Sequence, residues 1–346
     1  MSGASPALEV LEPGLLASVQ DGGRPGLAAL GITRGGAADP DALAIANLLL
    51  GNDPCAAALE LTLAGAAVRA RDPLTLALAG ADLGARIRET GRAVAPGSTI
   101  RLGAGETLAF EGGARPTTGR RSGCRAYVAL PGGIDVPLVL GGRGTALGAG
   151  FGGIEGRGLR AGDVLGTPAR SGAGTHDPAP IRSDLRWPGP MPSLDDAPLR
   201  LLPGPHAGTL GPGALEALAT TRWTIAPASD RIGIRLAGEP LPGAGAIELA
   251  SHGVLAGTVQ VPPDGRPIVL LVDHQPTGGY PVVAVVIAAD RAAIGQLAPG
   301  DIVTFEIVDE ATARAAGASR SAARAAAMAA LHEAATWDAL WHGAGG

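Results

Sequence analysis

Between Ser251 and Pro281 the chain reads SHGVLAGTVQVPPDGRPIVLLVDHQPTGGYP, a stretch that gathers His252, Gln260, Asp273, His274, Gln275, Thr277 and Tyr280. Two apolar runs, Val259 to Val261 and Ile268 to Val272, flank Pro262-Pro-Asp-Gly265. This spacing predicts a β-hairpin, because Asp-Gly supplies the positive φ that a tight connection needs. Gly278 and Gly279 precede Tyr280 and let backbone amides approach a ligand without a Cβ in the way. Polar groups at the ends of buried strands, beside paired glycines, make a small-molecule site. The same features also build an ordinary loop-rich β-protein, and both readings stand at this level.

The elements that must position these groups follow from composition. A chain of 346 residues has room for two domains and a sizeable core. With 55 glycines and 29 prolines, many short strands joined by turns are favoured over long helices. Cys55 and Cys124 are too few for a disulfide scaffold and read as buried thiols of a reduced compartment. A net charge of −5 argues against a nucleic-acid surface, which is normally built on a basic excess. The N-terminus MSGASPALEVLEPG lacks a cationic head before an apolar core. No run reaches the roughly 20 apolar residues of a membrane span. A soluble, cytoplasmic protein is expected.

All 27 residues of the Lys and Arg classes are arginine. Without lysine there is no Schiff-base nucleophile, no GxxxxGK[ST] phosphate loop and no attachment point for biotin. Phosphates must be held by arginine, backbone amides or a metal, and any biotin must arrive on another protein.

Taken in order, the chain predicts strands at Leu8 to Leu11 and Ala17 to Gln20, then a turn in Asp21-Gly-Gly-Arg24-Pro-Gly26 that reads as an Asx turn with a surface ion pair. Asp39 as N-cap, Pro40 at the first position and Leu43, Ala46, Asn47 and Leu50 on one face predict a helix closed by Gly51-Asn52. Gly35, Gly36 and Ala37 lead into that helix N-terminus, where free amides suit an anion that Asp39 itself would repel. Capping is therefore the leading role for Asp39. Asn47 either faces a site or bonds a neighbouring backbone. From Ala56 the pattern is strand after strand, and alternation in ALELT puts Glu60 on a polar, solvated face.

The glycine-dense segment from Gly132 to Gly162 is no dinucleotide fingerprint, lacking the strand-to-helix unit and its acidic residue. Within it Arg143 and Arg157 either grip a carboxylate or phosphate or hold a tight surface loop. Residues 167–198 lose periodicity and read as a linker or strap. A second unit echoes the first, AIELASHGVLAG against ALELTLAG, with Glu248 corresponding to Glu60 and Ser229-Asp230-Arg231 faintly echoing the Asp21 turn. The expected organisation is mainly β: a barrel over 6–166, the strap, a second barrel over 199–308 and a helix over 309–342 that docks by Trp337, Leu340 and Trp341.

Seven motifs in this order carry a resemblance: VQDGGRPG from Val19, ADPDALAIANLLLGN from Ala38, ALELTLAG from Ala58, PGGIDVP from Pro131, SDRIGIRL from Ser229, SHGVLAGTVQVPPDGRPIVLLVD from Ser251 and TGGYP from Thr277. Together they resemble the family of the bacterial 5-oxoprolinase C subunit, also called allophanate hydrolase subunit 2 or the second half of the urea carboxylase carboxyltransferase domain. The likeness covers nearly the whole chain. Gly35-Gly-Ala-Ala-Asp39 stands where the family usually has Ser-Gly-Ala-Met-Asp, Leu27 where it has an aromatic, and Pro276 where it has Thr. The Asp, Gly and Tyr groups remain.

The resemblance implies two cyclophilin-like β-barrels, obligate partners in subunits A and B of 5-oxoprolinase, and ATP-dependent opening of 5-oxoproline to glutamate, with ATP and Mg2+ bound in the complex. It makes Asp39 and Asp273 candidates for metal or proton transfer and His252 for acid-base work. Arg24, Arg143 and Arg231 become candidates for a carboxylate or phosphates. Asn47, Asp230, Gln260, Gln275, Thr277, Gly278, Gly279 and Tyr280 complete the implied binding set, with no resident metal of the chain's own. A rival implication is carboxyl transfer from biotin supplied in trans to a urea-like nitrogen. A third is a non-catalytic regulator of a kinase-inhibitor-like partner.

Overall fold

The computed structural model describes residues 5–112, 123–168, 184–191, 196–245, 247 and 249–343. The chain is mainly β, with four α-helices among the described residues: α1 (Pro40–Leu48), α2 (Ala214–Thr220), α3 (Arg291–Ile294) and α4 (Glu310–Gly343).

In the first half, two five-stranded sheets face each other. One runs in the order Val164–Thr167, Ser5–Pro13, Ala66–Ala70, Thr107–Phe110, Ala85–Ile87; the other in the order Leu16–Gln20, Ala58–Thr62, Arg125–Ala129, Leu74–Gly80, Ser98–Leu102. Leu8, Val10, Leu59, Leu61, Val68, Leu76, Leu78, Leu108 and Val128 fill the space between them. Alternation along Ala58–Thr62 thus sends Leu59 and Leu61 inward, as period two requires.

The outer face of the second sheet is not solvated. Ala58, Ala77, Ala79 and Ala129 line it, and these small side chains let Leu43, Ile45 and Leu49 of α1 pack close. Asp39 caps α1, accepting from Asp41 N–H (3.1 Å) and Ala42 N–H (3.0 Å), with Pro40 following it.

In the second half, one eight-stranded sheet runs in the order Ile302–Val303, Trp223–Ile225, Gly233–Ala237, Ile268–Leu270, Thr258–Gln260, Val282–Val286, Leu199–Pro203, Phe305–Ile307. Its two edge strands are separated in sequence by Thr304 alone, so the sheet curls almost fully round on itself around Trp223, Ile225, Ile234, Val259, Val269 and Val286. Near-closure removes the exposed edges that an open sheet of this size would present. The predicted hairpin is present: Val259 pairs with Val269 and Gln260 with Ile268, and Gly265 N–H bonds Pro262 O (2.9 Å) at φ +75. A separate two-stranded ribbon pairs His252–Gly253 with Thr277–Gly278.

Part of the predicted strap is ordered against the first half. Thr99 N–H bonds Leu185 O (3.0 Å), Trp187 N–H bonds Gly97 O (2.7 Å), and Leu185, Trp187 and Met191 pack against the α1 cluster. The expectation of buried thiols is met at Cys124 and not at Cys55, which is exposed. Glu248 and the side chains of Trp337, Leu340 and Trp341 lie outside the described residues. Among the described residues no helix is long and apolar enough to cross a membrane.

Candidate functional site

The structure divides the residues singled out in the sequence into three groups, two that hold the fold together and one that faces outward. The first group surrounds Arg24. The Asx turn is there, Gly23 N–H donating to Asp21 Oδ1 (2.8 Å), but the surface ion pair is not, because Arg24 is only 2 % exposed. Its guanidinium donates to the carbonyls of Val139 (2.9 Å), Gly142 (3.2 Å) and Gly144 (2.8 Å) and stacks on Phe151. Tight wrapping explains the glycines: a Cβ on Gly152, at φ +75, would stand 2.2 Å from Gly144 O and 2.6 Å from Arg24 Nη2. Arg143 donates its backbone N–H to Asp21 and its side chain to Asp135 (3.2 Å), while Arg157 grips Asp163 through two bonds of 2.7 and 3.0 Å. Both arginines make the loop-holding contacts that one of the two readings expects.

The second group is a polar knot between the halves. Glu60, 1 % exposed, is not solvated, because the face it occupies is covered by α1 and by the second half of the chain. Its Oε2 accepts from Tyr127 OH (2.7 Å) and Ala38 N–H (3.0 Å); its Oε1 meets Arg231 Nη1 and lies 3.7 Å from Arg125 Nε. Arg231 turns its other edge to Asp273 (2.8 and 3.1 Å) and also donates to Gly36 O (2.6 Å). Two carboxylates face two guanidiniums, so the buried set is neutral.

Burial alone would push the Glu60 carboxyl up, but Arg231, Arg125 and two hydrogen bonds hold it below the usual carboxylate range. Burial raises the Tyr127 phenol well above its ordinary value, the Glu60 charge adding to it. Gln296 completes the knot, accepting from Cys124 and Arg125 N–H (3.0 and 2.9 Å) and donating to Asp39 Oδ2 (2.8 Å) and Arg125 O (3.0 Å). Asp39, fully buried, caps α1 and also receives this amide. Asn47 ties Ala56 O (2.8 Å) to Asn52 (2.9 Å), and Asp230 makes an Asx turn to Ile232 N–H (2.8 Å) and Gly233 N–H (3.1 Å), directing Arg231 inward.

The third group lies at the ribbon. His252 pairs in register with Gly278, and a Cβ on Gly278 would fall 2.6 Å from Gln260 Nε2, so Gly278 is small because the Gln260 amide occupies that space. Gln275, Thr277 and Tyr280, all exposed, rim the same place. His252 Nδ1 is 3.2 Å from Ala250 O, a partner that can only accept, so Nδ1 carries a proton, and in the neutral ring Nε2 is the acceptor. That Nε2, like Gln260 Nε2, is buried and has no hydrogen-bond partner among the described residues. Buried polar atoms are normally paired; Gln20 Oε1 and Arg24 Nη1 are open elsewhere too, and what marks the His252 and Gln260 atoms is their place beside the exposed rim of the ribbon.

His206, which no pattern in the sequence singles out, stands 4.8 Å from His252 ring to ring. Its Nδ1 accepts from Val282 N–H (3.1 Å), which makes it the neutral Nε2–H tautomer, and burial lowers its pKa, as would any positive charge on the adjacent His252 ring. The only signal is its place in the Pro-Gly-Pro-His turn just after a strand.

His274, beside the ribbon, is buried with Nδ1 donating to Gln275 O (2.6 Å), and burial lowers its pKa. The unfolded chain takes up this proton near pH 6.5, while the folded one resists it until lower pH. Unfolding free energy is therefore expected to fall as pH drops below about 6.5, and the slope to flatten in His274→Asn, measured by urea denaturation across pH 5 to 7.5.

The family model described as "Carboxyltransferase domain, subdomain A and B" matches residues 30–307. The chain belongs to this carboxyltransferase-domain family. It is 39% identical to the C subunit of 5-oxoprolinase from Escherichia coli K12 over 86% of its own length and 90% of that protein. The crystal structure of TTHA0988 superposes with a TM-score of 0.75 at 35% identity, covering 88% of this chain and 57% of that one. The urea amidolyase of Kluyveromyces lactis superposes with a TM-score of 0.78 at 27% identity, over 93% of this chain but 20% of that one. This member of the family thus spans just over half of TTHA0988 and a fifth of the K. lactis protein.

Proposed function

We propose that this chain is the C subunit of an ATP-dependent 5-oxoprolinase, acting with subunits A and B to open 5-oxoproline to glutamate. Identity to a 5-oxoprolinase C subunit along nine-tenths of that protein supports the assembly. The observation that carries the chemistry is the open acceptor on His252 beside the open donor on Gln260. In a lactam the ring locks N–H and C=O on the same side, so one acceptor and one donor match it as a pair.

On this reading Gln260 donates to the lactam oxygen and fixes its position, while His252 Nε2 accepts the lactam N–H. As that oxygen attacks the γ-phosphate of ATP, the N–H proton passes to His252, a C=N bond forms and ADP leaves. The resulting imidate phosphate no longer has amide resonance, so water adds to its carbon. Protonated His252 returns its proton to the ring nitrogen as the C–N bond breaks, leaving the open-chain acyl phosphate, and a second water displaces phosphate to give glutamate.

The residues of this chain do not fit a resident nucleotide-metal site. Among the described residues no three metal-ligating side chains gather that could hold a nucleotide-bound metal. ATP and Mg2+ are accordingly assigned to a surface that a partner polypeptide completes, and a reducing, cytoplasmic setting suits the two free thiols.

Urea presents the same N–C=O edge, which is why the likeness to urea amidolyase keeps carboxyl transfer from a biotin carried in trans as the second reading. Mixing the chain with its A and B counterparts is expected to give glutamate from 5-oxoproline only when ATP is present. Avidin-sensitive bicarbonate fixation instead would assign the carboxylase reading, and tight partner binding with neither activity a regulatory one.

A further inference from the structure

A cavity of about 260 Å3 lies where three parts of the chain meet: the loop leading into α1, the second half around Gly257 and α3, and Arg320 of α4. Its charged lining consists of Asp21, Arg34, Asp41, Arg291 and Arg320. Both carboxylates are already engaged, Asp41 by Arg320 and Asp21 by the backbone N–H groups of Gly23 and Arg143. Arg34 and Arg291 have no carboxylate partner among the described residues, and Arg291 Nε is buried without a hydrogen bond. The Arg291 stem rests on Gly257, where a Cβ would stand 3.6 Å from its Cγ. Burial lowers the Arg291 pKa and the neighbouring Arg34 charge lowers it further, so an anion between them would favour the charged Arg291.

We propose that Arg34 and Arg291 bind a small oxyanion in this cavity. Two guanidiniums offer several donors suited to the oxygens of a phosphate or a carboxylate. The volume admits an ion of that size but falls below that of pockets enclosing drug-sized ligands. None of the lining residues belongs to the His252 ribbon, so the site is separate from the one that holds the lactam edge. Two sources share this chemistry: inorganic phosphate released by phosphoryl transfer, and the carboxylate of an amino-acid-like substrate.

The test is calorimetric titration of the full chain with inorganic phosphate in a zwitterionic buffer free of other oxyanions, and in a second arm with 5-oxoproline. Phosphate is expected to bind with one-to-one stoichiometry. Arg34→Gln, at an exposed position that leaves folding intact, should weaken it at least tenfold, Arg291→Gln should abolish it, and Arg314→Gln on the outer side of α4 should leave it unchanged. Competition between phosphate and 5-oxoproline for this site would identify the carboxylate of a second 5-oxoproline molecule as an occupant, and binding of phosphate alone would identify the released ion. Absence of heat with both ligands up to tens of millimolar, or affinities unmoved by Arg34→Gln, would overturn the proposal.

Discussion

Replacing Arg231 with methionine is expected to cost about 3–5 kcal/mol of folding stability, the range for removing one partner of a buried ion pair. Arg231 is 4 % exposed and is the single side chain that satisfies Glu60 and Asp273 together across the two halves of the chain. Without it Glu60 keeps its bonds from Tyr127 and Ala38 but has Arg125, at 3.7 Å, as its remaining cation, and Asp273 loses both of its guanidinium bonds. Against a typical total of about 5–15 kcal/mol the loss is a large fraction, so the variant should unfold at a much lower urea concentration.

Two comparisons separate this knot from ordinary surface charge. Arg314→Met breaks an exposed helical pair with Glu310 and should cost under about 0.5 kcal/mol. A Glu60→Gln/Arg231→Met double variant should recover part of the loss, because the uncompensated charge is gone, giving a coupling energy above about 1 kcal/mol in the cycle. Wild-type stability should also decline on acidification below about pH 4.3. Glu60 is held ionised in the fold beneath its unfolded value, so its contribution is full above that value and is lost as pH falls through the folded one. An Arg231→Met midpoint close to wild type would mean that the halves are held by apolar contact alone.

How far a sequence can be read depends on the range of the interactions involved. Helix α1 is legible because its determinants lie within a few residues of one another: Asp39 caps, Pro40 begins, and Leu43, Ala46 and Asn47 define one face. The Val259–Gln260 hairpin is legible for the same reason, its turn being set by Pro262 to Gly265. Near-closure of the second sheet is not, since it depends on Leu199–Pro203 meeting Phe305–Ile307 across roughly a hundred residues.

Glu60 shows the limit best. Period-two alternation correctly places it opposite Leu59 and Leu61, but no local rule says whether the opposite face meets water or a second half carrying Arg231. Asp39, Asp273 and Arg231 stand out in the sequence as polar residues at unusual places, and in the fold Arg231 bonds Asp273 while Asp39 caps a helix and receives the Gln296 amide. His252, Gln260 and Gly278 stand out with them. No sequence pattern could supply the fact that His252 Nε2 and Gln260 Nε2 are left open while nearly every comparable atom in the knot is paired.

That difference sets the second large effect. In the reconstituted complex His252→Ala is expected to lower kcat/KM for 5-oxoproline by about 10²–10⁴, the span for losing a general base. Gln260→Leu, which keeps the volume and removes the donor, should lower it by about 10–10², corresponding to one lost hydrogen bond of about 1.5–3 kcal/mol. Neither open atom is bonded within the described chain, so neither variant should shift the unfolding free energy by more than about 1 kcal/mol.

Asp39→Ala should do the reverse: about 0.5–2 kcal/mol of stability disappears with the cap, and kcat/KM in the folded enzyme stays within a few fold. Added imidazole should restore part of the His252→Ala rate, since the space vacated lies beside the exposed rim of Gln275, Thr277 and Tyr280, and should do nothing for Gln260→Leu. Wild-type turnover in both His252→Ala and Gln260→Leu would remove the lactam edge from the ribbon and leave this polypeptide with an organising rather than a chemical role.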